Sequence, residues 1–140
     1  MSPVSFYRIA QFCLSHKIPL IPRFIYIMQF LIFGCAIPAS CKIGRHVVLG
    51  YGGMGIVIHA RAVIGDGCTI SQQVTIGGRS GLQGVPVVCD NVYIGAGAKI
   101  LGPITIGNGA VIGANAVVIS NVGEKEIFAG VPAVLKGHAS

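Results

Sequence analysis

The stretch Val92-Tyr93-Ile94-Gly95-Ala96-Gly97-Ala98-Lys99-Ile100 decides the fold. Ile94 and Ile100 stand six residues apart, and the same step runs on in both directions. From Ile58 it lands on Ile64, Ile70, Ile76, Leu82, Val88, Ile94, Ile100, Ile106, Ile112 and Val118, an aliphatic residue every time. Glycine follows directly at Gly65, Gly77, Gly95, Gly107 and Gly113. A small or β-branched residue usually sits two positions earlier, as at Ala62, Cys68, Val74, Val92, Ala98, Ile104, Ala110 and Ala116. A strand turns successive residues to opposite faces. Six residues therefore make one short strand and one turn, and three such units close a triangular coil of about 18 residues. One repeat cannot bury its own apolar face, so the coils must stack. The pattern predicts an all-β domain over residues 37–140, a single-stranded left-handed parallel β-helix.

Two segments break the pattern. Ile37, Ile43 and Leu49 keep the step, but Leu49 to Ile58 is too long by three residues, within Gly50-Tyr51-Gly52-Gly53-Met54-Gly55. Residues 78–86 keep count but lose the small-then-aliphatic signature, so Leu82 is in phase without supporting neighbours. Both segments read as loops leaving the coil, where function concentrates in a regular scaffold.

Residues 1–36 read differently. Phe6 to Leu14 and Phe24 to Cys35 are two apolar runs separated by Pro19 and Pro22, which predicts a short helical segment of two helices. The second run is shorter than the ~18 apolar residues of a membrane span. The segment is expected to pack on the β-helix or a partner subunit. The alternative is that it lies on a membrane surface, helped by Arg8, Lys17 and Arg23.

The chain is 140 residues long, enough for one domain; 53% are hydrophobic and 10% charged. So few charges suggest that some surface meets another subunit. Ten Lys and Arg against four Asp and Glu give a net charge of +6, which suits an anionic partner. The cations are scattered and lack interleaved aromatics, which argues against a nucleic-acid surface. A phosphate-bearing small molecule needs only a few of them. Cys13, Cys35, Cys41, Cys68 and Cys89 are odd in number and match no zinc spacing. They read as idle thiols in a reducing cytoplasm, with no signal peptide ahead of them.

The repeat resembles a family when read with particular segments. These are Gly55-Ile56-Val57-Ile58-His59-Ala60-Arg61-Ala62-Val63-Ile64-Gly65, Val74-Thr75-Ile76-Gly77-Gly78, Ile94 to Gly102, and Ala129-Gly130-Val131-Pro132-Ala133. Together they look like the serine acetyltransferase branch of the hexapeptide-repeat acyltransferases. That branch includes O-acetyltransferases of capsule, exopolysaccharide and lipopolysaccharide sugars. The resemblance implies a homotrimer with acetyl-CoA between neighbouring β-helices, a histidine base and no metal. It places Gly77 and Gly78 near the thioester, with Arg79 beside them, and Ala96 and Ala114 along the pantetheine arm. Lys136, near the C-terminus, is a candidate for the coenzyme phosphates by charge alone.

Where serine acetyltransferases carry an Asp-His pair, this chain has Gly50 and Tyr51. Where they carry an Arg-His pair, it has Gly84 and Val85. The expected acceptor is therefore a hydroxyl of a cell-surface sugar or glycan precursor. L-serine is the alternative, and a non-catalytic trimer that binds CoA or a partner is the third reading. A hydroxyl acceptor needs a base to take its proton. His16 lies in the helical part, His138 in the tail and His46 on the first coil. His59 follows in-phase Ile58, beside the 50–55 loop, and is the leading base. Tyr51 is the second catalytic candidate, though a phenol ordinarily titrates near ~10. A metal site of carbonic-anhydrase type needs three histidines, and His46 and His59 alone do not supply them.

Overall fold

Proline opens both helices at positions where its missing N–H costs nothing. α1 (Pro3–Ser15) starts behind Ser2, whose hydroxyl accepts the N–H of Ser5 at 3.3 Å. α2 (Ile21–Phe33) stops at Gly34, left-handed at φ 65°. The helices pair through Phe6 and Phe33, edge to face with centroids 5.5 Å apart. The buried Gln29 amide ties them, donating to the Pro3 carbonyl at 2.9 Å.

From Ala36 the chain winds into a left-handed parallel β-helix of about four turns in this computed structural model, which describes residues 1–140. The first coil holds β1 (Lys42–Ile43), β2 (Val48–Leu49) and β3 (Val57–Ile58). The second holds β4 (Val63–Ile64), β5 (Thr69–Ile70) and β6 (Thr75–Gly77). The third holds β7 (Val87–Val88), β8 (Tyr93–Ile94) and β9 (Lys99–Leu101). The fourth holds β10 (Thr105–Ile106), β11 (Val111–Ile112) and β12 (Val117–Val118). β1, β4, β7 and β10 form face I; β2, β5, β8 and β11 form face II; β3, β6, β9 and β12 form face III.

The in-phase aliphatics stack in register. On face I these are Ile43, Ile64, Val88 and Ile106, and on face III Ile58, Ile76, Ile100 and Val118. Face II stacks Leu49, Ile70, Ile94 and Ile112. Burying one such side chain contributes about 1.5–3 kcal/mol. Coil spacing is 21 residues, then 24, then 18. The 78–86 excursion thus adds one whole repeat, which is why the six-step survived it. Leu82 is in phase by count only: it lies outside the core, 50% exposed.

Corners have their own chemistry. Between faces I and II, His46, Gly67, Asn91 and Gly109 occupy the left-handed region; between faces II and III, Gly55, Gln73, Gly97 and Asn115 do. The Asn115 side chain fills the space a Cβ on Gly97 would need, so glycine there is imposed by packing as well as by φ. Carboxylates and amides step up the first of these corners. Asp66 accepts from Arg45 N, Asp90 from Asp66 N and Asn108 from Asp90 N, each at 2.8 Å.

Both ends of the solenoid are closed. At the start, Tyr7 of α1 is fully buried; its hydroxyl donates to Cys41 O at 2.6 Å and accepts from Ile43 N. Arg8 donates to Ile43 O and Gly44 O. These bonds satisfy an edge strand that would otherwise invite pairing. At the far end the sequence reading missed a hairpin. β13 (Glu126–Gly130) extends face II, and β14 (Ala133–His138) folds back antiparallel on it. Cys35, Cys41 and Cys68 take small inward positions. Burial pushes their thiols up, Cys35 to about 11 and Cys41 to about 12.

Ile100→Ala is expected to cost about 2–5 kcal/mol in denaturant unfolding, against about 0.5 kcal/mol or less for Leu82→Ala. Equal losses would contradict the register.

Candidate functional site

A triangular coil has three corners, and the expected site residues other than Lys136 divide between two of them. The 50–55 loop leaves between faces II and III, as a short turn at Gly50–Gly53. Tyr51 sits there with φ 48° and is 81% exposed. That backbone region is unfavourable for a bulky residue. Gly53 packs under Pro3 of α1, which braces the turn. A cleft of about 320 Å³ opens beside it, lined by Ser2, Pro3, Val47, Val48, Leu49 and Gly52. Ala96 and Ala114 lie at this same corner on higher coils, joined by Asn115 N donating to Ala96 O at 2.8 Å.

The corner between faces III and I holds the rest. The 78–86 loop leaves there after Gly77 and folds up over the next coil. A Cβ on Gly84 would come within 2.8 Å of Pro103, and one on Gly102 within 3.3 Å of Arg79. His59 stands at this corner too. It follows β3, and its N–H donates to Ile76 O at 2.8 Å, which puts it beneath Gly77. This corrects the expectation that His59 lies beside the 50–55 loop. Strand β3 separates the two, so Tyr51 and His59 occupy opposite ends of one strand. The two loops likewise flank face III from its two edges rather than enclosing one pocket within a chain.

His59 Nδ1 accepts the N–H of Arg61 at 3.1 Å. A backbone N–H can only donate, so the neutral ring carries its proton on Nε2. In this conformation His59 offers a donor. Arg61 and Arg79 are both exposed at the same corner. Arg61 is the functional candidate that the sequence reading passed over; its place two residues after His59, in the same turn, was the available signal.

Gly77 and Gly78 are glycines without an internal reason. Neither has positive φ. A Cβ on Gly78 would meet nothing within 4 Å, and one on Gly77 only Thr75 at 3.8 Å. At Gly95, by contrast, a Cβ would strike Ala114 N at 2.6 Å. Lys136 is the extra residue at the irregularity in the β13–β14 ladder and is exposed. His16, His46 and His138 are exposed away from both loops. No three His, Cys, Asp or Glu side chains come together as a metal-ligand group.

The pattern "Bacterial transferase hexapeptide (six repeats)" matches residues 86–120. A serine acetyltransferase of Synechococcus elongatus is 37% identical over 128 residues, covering 90% of this chain and 52% of that protein. The crystal structure of serine acetyltransferase in complex with coenzyme A from Brucella abortus superposes with a TM-score of 0.93 at 30% identity, over 98% of this chain and 55% of that one. Soybean serine acetyltransferase complexed with serine gives a TM-score of 0.88 at 33% identity, over 96% and 56% of the two chains. The chain thus spans about half the length of these relatives. With the repeat and the coil in common, it is similar along nearly its whole length to the hexapeptide-repeat acyltransferases of the serine acetyltransferase-like branch.

Proposed function

We propose that the protein is an acetyl-CoA-dependent O-acetyltransferase that works as a homotrimer. The observation that carries this reading is the pair Gly77-Gly78, whose missing side chains serve nothing inside their own chain. Glycine kept where neither packing nor φ asks for it leaves room for a ligand to approach the backbone. The coenzyme-bound relative supports acetyl-CoA as that ligand. The division of site residues between two corners supports the trimer. One copy's Gly77, Gly78, His59 and Arg79 can face a neighbour's Tyr51, Ala96 and Ala114 only across an interface. Lys136 supplies a cation for the coenzyme phosphates.

The reaction is attack of an acceptor hydroxyl on the thioester carbonyl, with CoA thiolate leaving and the hydroxyl proton passing to a base. His59 is the assigned base. Its Nε2 carries a proton while Nδ1 holds Arg61 N–H, so acting as base requires the ring to give up that bond. Tyr51, presented on its turn, positions the acceptor.

The comparisons support L-serine as acceptor better than the glycan hydroxyl expected from the sequence. Arg61 and Arg79 add to that support, since an α-carboxylate needs a cation and two stand exposed at the corner that holds His59. The glycan reading keeps one observation in its favour: Gly50, Tyr51, Gly84 and Val85 replace the polar pairs of serine acetyltransferases.

Gly78→Val is expected to leave stability within about 0.5 kcal/mol and to weaken CoA binding at least about tenfold by calorimetry. Undiminished affinity would separate the glycine pair from the coenzyme. In a thiol-release assay with L-serine, nucleotide sugars and glycan fragments, acetyl transfer to L-serine is expected. His59→Ala should lower kcat by about 10²–10⁴, while Arg61→Ala raises KM for serine. Transfer to sugars without serine would restore the glycan acceptor. Unchanged turnover in both His59→Ala and Tyr51→Phe would sink both assignments, and no CoA binding at all would leave the non-catalytic reading.

A further inference from the structure

The helical hairpin buries one side on the first coil and leaves the other without cover. Ile9 and Phe12 of α1, and Phe24, Ile27, Phe30 and Leu31 of α2, are 47–70% exposed. On α2 the positions run i, i+3, i+6 and i+7 from Phe24, one stripe along one side of a helix. Scattered exposed apolar residues need no explanation, but a contiguous stripe does.

Charge tells what covers it. Residues 1–34 contain no Asp or Glu; the four acids of the chain are Asp66, Asp90, Glu124 and Glu126, all in the β-helix. Arg8 is spent on the carbonyls of Ile43 and Gly44. Lys17, in the connection between the helices, and Arg23, one residue before Phe24, are exposed and make no ion pair. Arg23 also borders a cleft of about 310 Å³ with Leu14, Pro22, Tyr26 and Ser40. A second copy docked hairpin to hairpin would bring no Asp or Glu to meet Lys17 and Arg23, because residues 1–34 hold none. An anionic lipid surface complements them. No helix is long and apolar enough to cross a membrane. A helix of 13 residues is about 20 Å long, which suits lying in the plane of the interface.

We propose that the α1–α2 hairpin is a peripheral membrane anchor, its Phe24–Leu31 stripe entering the acyl boundary of an anionic leaflet and Lys17 and Arg23 meeting lipid phosphates. The anchor is independent of the acceptor and of catalysis. The test is cosedimentation of the full chain with phosphatidylcholine vesicles, with and without about 30% phosphatidylglycerol. The chain is expected to pellet with the anionic vesicles and to be released as salt rises. Lys17→Glu/Arg23→Glu should cut the bound fraction about tenfold or more, and Phe24→Glu/Leu31→Glu should abolish it with the unfolding midpoint unchanged. Failure of the unmodified chain to bind anionic vesicles overturns the proposal, as does equal binding to neutral ones. A chain that ignores vesicles but drops in association state on Phe24→Glu/Leu31→Glu assigns the stripe to another copy and overturns it as well.

Discussion

Everything in this structure rests on coil-to-coil stacking of inward aliphatic side chains. A strand of two residues has no stability alone. It exists here because the coils above and below supply both its hydrogen bonds and its apolar neighbours. Ile76, at 0% exposure, is held between Ile58 and Ile100, and each of those depends on the next. Such a column must be closed at its ends. Tyr7 and Arg8 occupy the open carbonyls and amides of the first coil, and the β13–β14 hairpin covers the last. The helical hairpin is therefore part of the fold before it is anything else, and only its outer side is free for another role.

The same constraint decides where chemistry can sit. The faces are committed to stacking, since a residue gained or lost there would shift every inward side chain outward. The corners are not committed. An extra three residues at Gly50–Gly55 and an extra whole repeat at 78–86 leave the ladders on either side in register. The two excursions fall at corners because the scaffold accepts added residues there without disturbing its ladders. The corners bound opposite edges of face III, so the candidate residues of one chain stand apart in two groups.

The inward stack was legible from the six-residue step, and so was the existence of both loops. What the step does not carry is the identity of the face. Tyr51 and His59 are eight positions apart and read as neighbours along the chain, yet β3 carries one away from the other. Leu82 kept phase because its excursion is one repeat long, so counting alone placed it with the core. The hairpin at 126–138 escaped because the phase shifts past Val118: Val122 takes the next inward position only four residues on, and Phe128 follows it by six. The pair Gly77-Gly78 was recognisable by resemblance, but only the structure shows that nothing inside the chain requires it. Arg61 was hidden in plain sight, since a cation in a turn has no pattern until its corner is known.

The central claim is that one site is assembled from the corners of two neighbouring copies. Subunit complementation tests it most directly. His59→Ala disables the corner between faces III and I, and Ala114→Trp blocks the corner between faces II and III. Each variant alone should be inactive as an acetyltransferase. Mixed assemblies formed by coexpression should regain about a quarter of the unmodified activity, because random pairing restores one intact interface in about four. Mixed assemblies as inactive as their parents would contradict the claim and return both half-sites to a single chain.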